Sequence, residues 1–198
     1  MDMNEKANAL DKCGASVTKG SLIEESAKAA GKFFVKCFDK DKNLKWEDTI
    51  ENVVTTLGKN VALDAFLAGA GYTVTGPYMG LISSVGYTGV PVVGDTMTSH
   101  GTWVEAGWST NFPLYTAPRK TCAWSAATGG GKSLSAALNF AIITTGGTVK
   151  GCFLVYGSGA VSTINDTNGT LYSAGLFTGG DKVVGVGDTL QVSYTGTL

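Results

Sequence analysis

Three stretches of this chain gather residues that could do chemistry. The densest is Asp95-Thr-Met-Thr-Ser-His100-Gly-Thr-Trp103-Val-Glu105, with an Asp, a Ser, the single histidine and a Glu within eleven residues. Such a set could supply a nucleophile, a base and an acid. A nucleophilic site also needs its base oriented by a third group and a pocket that stabilises an oxyanion, and adjacency in sequence provides neither. The expectation is a loop in which His100 and Asp95 make local hydrogen bonds while Trp103 anchors in the core. A small hydrolase using Asp95, His100 and Glu105 is the enzymatic alternative, and it predicts lost activity with retained folding in His100→Ala.

The second stretch, Ala126-Ala-Thr-Gly-Gly-Gly-Lys132-Ser133, mimics a phosphate-binding loop. That loop requires Gly where Ala126 stands, and a helix whose first N–H groups face the phosphate. The residues after Ser133 alternate with strand period instead, so a Gly-rich turn between strands is expected. The third, Asp39-Lys-Asp-Lys-Asn43, starts like a calcium loop, but Leu44 and Ile50 occupy the positions that need a Gly and a carboxylate. It reads as a hairpin turn. Cys13, Cys37, Cys122 and Cys152 have no CxxC spacing and are expected to be reduced, mostly buried thiols. Two sequons, Asn165-Asp-Thr and Asn168-Gly-Thr, need a secretory route to matter. No catalytic, cofactor-binding or metal-binding residue is assigned, no cofactor is expected, and the chain reads as a non-enzyme.

Composition narrows the partners. The net charge is −1, which offers no basic face to neutralise phosphates, so neither nucleic acid nor a membrane surface is expected to bind. No apolar run nears the ~20 residues of a spanning helix. The start, Met1-Asp-Met-Asn-Glu-Lys, lacks the order of a signal peptide, and the expectation is a protein soluble where it is made.

The elements that would hold these stretches fall into two regions. Residues 1–66 carry 11 acidic and 10 basic side chains, so 21 of 66 are charged; residues 67–198 carry 5 and 5, so 10 of 132. A surface covered with Thr, Ser, Gly and Asn suits packing against neighbours, because a buried hydroxyl costs less than a buried charge. The division expected is a charged α/β segment, 1–68, and a Gly/Thr-rich β-sandwich domain, 69–198. Within the first, capping boxes at Ser21/Glu24 and Asp48/Glu51 predict helices over about 21–31 and 48–67, flanking a hairpin at 32–47. Within the second, strands are predicted over 134–142, 149–156, 171–177 and 190–194, with Asn168-Gly169 as a hairpin turn. With 28 Gly and 4 Pro, the chain reads as mainly β: an antiparallel sandwich or jelly roll behind an N-terminal helix–hairpin–helix.

Several segments stand together in order: the hairpin Phe34 to Trp46, Asn52-Val-Val-Thr55, Tyr78-Met-Gly-Leu-Ile82, Gly94 to Glu105, Gly169 to Phe177, and Gly187 to Thr195. Over residues 33–198 this set resembles a group of virion structural proteins of tailed bacteriophages. The resemblance implies a virion component made in the bacterial host cytoplasm, in first place a capsid decoration (cement) protein that stabilises the head. It implies a homo-oligomer, dimer or trimer, seated on the major capsid protein or other virion proteins. A neck, tail or head-fibre protein that touches the host is the alternative, with Tyr87, Trp103, Trp108 and Tyr115 as candidate aromatic contacts. No catalytic residue carries over from the group.

Overall fold

The computed structural model describes residues 29–67 and 75–197. Its elements are β1 (Ala30–Phe38), β2 (Leu44–Val54), α1 (Thr56–Leu67), β3 (Tyr78–Ser83), β4 (Lys120–Thr121), β5 (Gly131–Ser133), β6 (Leu138–Ala141), β7 (Gly147–Tyr156), β8 (Thr170–Phe177), β9 (Lys182–Val184) and β10 (Thr189–Thr197). The strands form one antiparallel sheet in the order β4-β3-β7-β8-β2-β1-β10-β5, with β6 also on β10 and β9 also on β7. The sheet curls into a half-barrel. The mainly-β antiparallel class expected from the turns and alternation is the class found.

Alternation decides which face is inside. On β1, Phe33, Val35 and Cys37 point inward; on β10, Leu190, Val192 and Tyr194 stand directly opposite them. With Ile50, Met79, Leu81, Leu154 and Phe140, they fill the hollow of the curl. A second core lies on the outer side of β3, β7 and β8, where Ile82, Phe153, Val155 and Leu171 meet Trp103, Met97 and Ala160 from the covering loops. β7 is thus covered on both faces, which explains its unbroken apolar run Gly-Cys-Phe-Leu-Val. The outer face of β1 and β2 is solvated and carries the cross-strand pairs Lys32–Glu51 at 2.8 Å and Lys36–Glu47 at 3.1 Å. Exposed pairs of this kind contribute little stability and mainly keep the face polar.

β1 and β2 lie between β8 and β10 and share the inner core, so the expected division at 68/69 does not separate two cores. The drop in charge density marks a change of surface. The predicted helix 48–67 is corrected: residues up to Val54 belong to β2, and α1 begins at Thr56. Ile50, Val53, Val54, Leu57 and Val61 do recur at helical spacing. However, β2 pairs on both edges, with β1 and with β8, and those ladders override the local pattern. The predicted helix 21–31 lies outside the described residues except at its end, where Ala30 and Gly31 already belong to β1. The hairpin expected at 32–47 is present and longer than predicted.

Two further strand readings are corrected. Of residues 134–142 only Leu138–Ala141 form a strand, β6; β5 ends at Ser133, and Leu134 and Ile142 make isolated bridges to Trp124 and Tyr115. Asn168-Gly169 is not a two-residue hairpin, since β7 ends at Tyr156 and the connection runs through 157–169. Gly169 has φ +87°, so its left-handed backbone serves the end of a long loop.

Thr55 caps α1. Its hydroxyl accepts the Gly58 N–H at 2.9 Å and donates to the Leu171 carbonyl, and its own N–H donates to Tyr172 O at 2.9 Å. Cap and docking are therefore one residue. Gly58 completes the seat, because a Cβ there would lie 2.4 Å from Tyr172 O. Thr55→Ala is expected to cost about 1–2 kcal/mol, at the upper end for caps because it also frees the buried Leu171 carbonyl. A lower urea midpoint at unchanged slope would register it.

Candidate functional site

Of the Asp95–Glu105 stretch, Asp95, Met97, Trp103 and Glu105 are buried, while Thr98, Ser99, Gly101 and Thr102 are exposed. Asp95 is buried, and its Oδ2 accepts Trp103 Nε1–H at 3.0 Å and Val92 N–H at 3.0 Å. His100 stacks on Trp103 at 4.0 Å between ring centroids, and its Nδ1 lies 2.9 Å from Trp103 O. A carbonyl can only accept, so Nδ1 is the donor in this bond. Trp103 is 1% exposed, as expected of an anchor. Glu105 pairs bidentately with buried Arg119, Oε1 to Nε at 2.9 Å and Oε2 to Nη2 at 2.7 Å, and also accepts Asn165 N–H at 2.6 Å. The remaining Arg119 donors reach Val161 O at 3.2 Å and Asp166 O at 2.6 Å. His100 and Glu105 border one crevice of about 50 Å³. Both carboxylates of the stretch are engaged by other donors, so the geometry gives His100 a carbonyl partner in place of the orienting carboxylate a triad needs.

The two look-alike loops are turns. Thr128 and Gly131 exchange backbone hydrogen bonds at 2.9 and 3.0 Å around Gly129 (φ +57°) and Gly130 (φ +76°). Two successive positive φ values make the tight hairpin turn that glycine permits. Asp39 Oδ1 accepts the N–H groups of Asp41 at 2.9 Å and Asn43 at 2.8 Å, with Lys42 at φ +67°. Those bonds, the Asn43 backbone first, hold its carboxyl below the usual range. Cys37, Cys122 and Cys152 are free and buried. Burial, then the nearby Asp188 charge, pushes the Cys37 thiol up to about 11; burial alone pushes Cys122 up to about 12. Neither is thiolate at neutral pH.

Asp48 is the most heavily solicited carboxylate of the β2 region. Lys182 Nζ lies at 2.7 Å, Thr49 N–H at 2.7 Å, and the Thr178 hydroxyl and Gly179 N–H each at 2.9 Å. Burial works against its charge, but these donors outweigh burial and bring its pKa to about 2. A depressed folded-state value gives stability that is present above the ordinary carboxylate pKa and lost as pH falls toward the folded one. Asp48→Asn is expected to cost on the order of 2 kcal/mol at pH 6. The gap to the parent should narrow between pH 4 and pH 2 in urea titrations.

A roomier concavity lies elsewhere. A groove of about 520 Å³ opens at the end of the half-barrel under α1. Ala62 and Ala65 of α1 form one lip, and Trp124, Tyr156, Tyr172 and Tyr194 contribute the aromatic wall. Tyr172 arrives there through a β-bulge: Leu154 pairs with Ser173 and Val155 with Leu171, so Tyr172 is the extra residue and its ring is re-aimed. Tyr194 is turned by its bond from Asn52 Nδ2 at 3.0 Å. The aromatics named from sequence go elsewhere. Trp103 and Tyr115 are core, Tyr87 receives Lys150 Nζ at 4.3 Å from its ring, and Trp108 is 51% exposed. Tyr194 was legible as strand alternation, but nothing local marks Trp124 or Tyr172 as groove residues.

Comparisons with protein-family models, with curated proteins and with solved structures find no match to this chain.

Proposed function

We propose that this protein is a structural component of a tailed-bacteriophage particle, and in first place a capsid decoration protein. In this reading it is made in the host cytoplasm, forms a dimer or trimer, and seats on the major capsid protein without catalysing a reaction. The half-barrel is read as an open form of the sandwich or jelly-roll body.

One observation carries the reading: how few charges reach the surface after residue 66. Of its ten charged side chains, Asp95, Glu105, Arg119 and Asp188 are buried, while Lys150, Asp181 and Lys182 are held in ion pairs. What faces outward is Gly, Thr and Ser, with Val90, Val92, Val93, Val183 and Val186 each at least half exposed. A neutral, partly apolar surface suits a protein that spends its working life against neighbours, since desolvating it is inexpensive. Many copies on a symmetric shell then add avidity to modest contacts. A neck, tail or fibre station is the second reading, favoured by Trp108, which is 51% exposed on a loop and could touch a host molecule.

Averaged images of frozen virions test the assignment. Density over the shell in many copies is expected. Density confined to neck, tail or fibres would overturn decoration, and absence from the particle would overturn the structural role and reopen the hydrolase alternative.

A further inference from the structure

We propose that two copies of this chain associate back to back through the outer face of β1 and β2, about a two-fold axis that runs along the seam between these strands. This narrows the dimer or trimer of the virion reading to a dimer. It rests on the face alone and is tested in solution, apart from the virion images.

The face is divided by charge. β1 turns Lys32, Phe34 and Lys36 outward, and β2 sets Glu51, Thr49 and Glu47 directly beside them. Between these limits β1 is positive and β2 negative. Lys45 lies past the register shift at Phe38 and is taken by Asp188. Phe34 is 44% exposed and Val53, two residues beyond Glu51, 37%. On the flanks, level with Lys32 and Glu51, β10 carries Thr195 and β8 carries Leu176, and neither is charged.

Symmetry and charge together fix how two such faces meet. Identical sheets stacked about 10 Å apart are related by a two-fold axis lying between them. An axis across the strands would set Lys32 over the second copy's Lys36, and Glu47 over the second copy's Glu51, like charge on like. An axis along the seam lays β1 over the second copy's β2 at equal height. Lys32 then faces Glu51, Phe34 faces Thr49 and Lys36 faces Glu47. Opposite charges meet in every charged row, so the second axis is favoured and the first repelled. The rows from Lys32 to Lys36 span about 13 Å. At the usual angle of about 30° between packed sheets their ends shift by about 3 Å, less than one strand spacing, so the pairing survives the twist. Each lysine gains a second carboxylate beside the one it already holds, at 2.8 Å for Lys32–Glu51 and 3.1 Å for Lys36–Glu47. Exposed ion pairs add little affinity. Phe34 and Val53 therefore supply the apolar contact, while the charges set its orientation.

Sedimentation of the full-length protein at concentrations up to about 1 mM should resolve monomer and dimer. The deciding variant is Lys32→Glu/Lys36→Glu/Glu47→Lys/Glu51→Lys, which exchanges the two charged rows and keeps the pairs within each chain. It should dimerise like the parent. Mixed with the parent, it would lay lysine on lysine and glutamate on glutamate. Native mass spectrometry of labelled parent with unlabelled variant should therefore show about tenfold fewer mixed dimers than random pairing gives. Two half-exchanges supply a second reading. Lys32→Glu/Lys36→Glu and Glu47→Lys/Glu51→Lys should each be monomeric alone and dimerise when combined. A parent that stays monomeric, a trimer, or mixed dimers at the random share would overturn the proposal.

Discussion

Arg119→Met is expected to destabilise the protein by about 3–5 kcal/mol, the range for removing one partner of a buried ion pair. Arg119 is 1% exposed and Glu105 4%, and two parallel hydrogen bonds join them. The loss extends beyond the pair. Arg119 also holds Val161 O and Asp166 O, and Glu105 holds the Asn165 N–H, so this junction pins the 157–169 connection onto the loop that carries Trp103. The guanidinium further lies 5.5 Å from the Phe153 ring centroid. Methionine keeps much of the volume, so the measured cost reports the orphaned carboxylate and carbonyls rather than a cavity. The double variant Glu105→Gln/Arg119→Met should be less destabilised than the sum of the two single ones, because it leaves no unpaired charge. Urea unfolding of the four proteins gives the cycle, and a loss below about 1 kcal/mol for Arg119→Met would mean that the pair is solvated in solution.

That junction shows where sequence reading ends. The inward residues of β10, Leu190, Val192 and Tyr194, were legible because period-2 alternation needs no partner to be recognised. The turns at 39–43 and 128–131 were legible because their residues encode the backbone they adopt: Asp39 satisfies N–H groups, and two glycines take positive φ. Trp103 as an anchor was legible from its size. The partner of Glu105 was not, since Arg119 lies fourteen positions on and only the path of the intervening loop brings them together. For the same reason β2 was misread. Its apolar residues at helical spacing are a local signal, and the pairing with β8 that decides against it involves residues more than a hundred positions away. The groove is assembled from α1, β7, β8, β10 and the 124–132 hairpin, which no single window contains.

Gly151→Ala is expected to cost about 3 kcal/mol, at the upper end for overpacking, although it adds one methyl group. Gly151 sits opposite Leu176 in the β7–β8 ladder. A Cβ there would lie 1.9 Å from Gly175 O and 2.8 Å from Gly175 C. Gly175 is constrained in turn, since its own added Cβ would meet Glu51 O and Ile50 Cγ2, each at 2.6 Å. Three strands thus pass at a distance only glycine allows, as at the bend of a curled sheet. Because the obstacle is backbone oxygen, no rotamer can relieve it, and the curl itself must open. Two controls separate this from glycine's other roles. Gly94 has nothing within 4 Å of its added Cβ and no positive φ, so Gly94→Ala should fall within about 0.5 kcal/mol of the parent. Gly180 has equal space but φ +78°, so Gly180→Ala should cost about 1–2 kcal/mol from backbone conformation alone. The order Gly151, Gly180, Gly94 in thermal midpoints is the expected result. If Gly151→Ala is as mild as Gly94→Ala, the sheet in solution is flatter at β7 and β8. The inner core would then be less enclosed, and the groove under α1 would lose the curvature that gathers its aromatic wall.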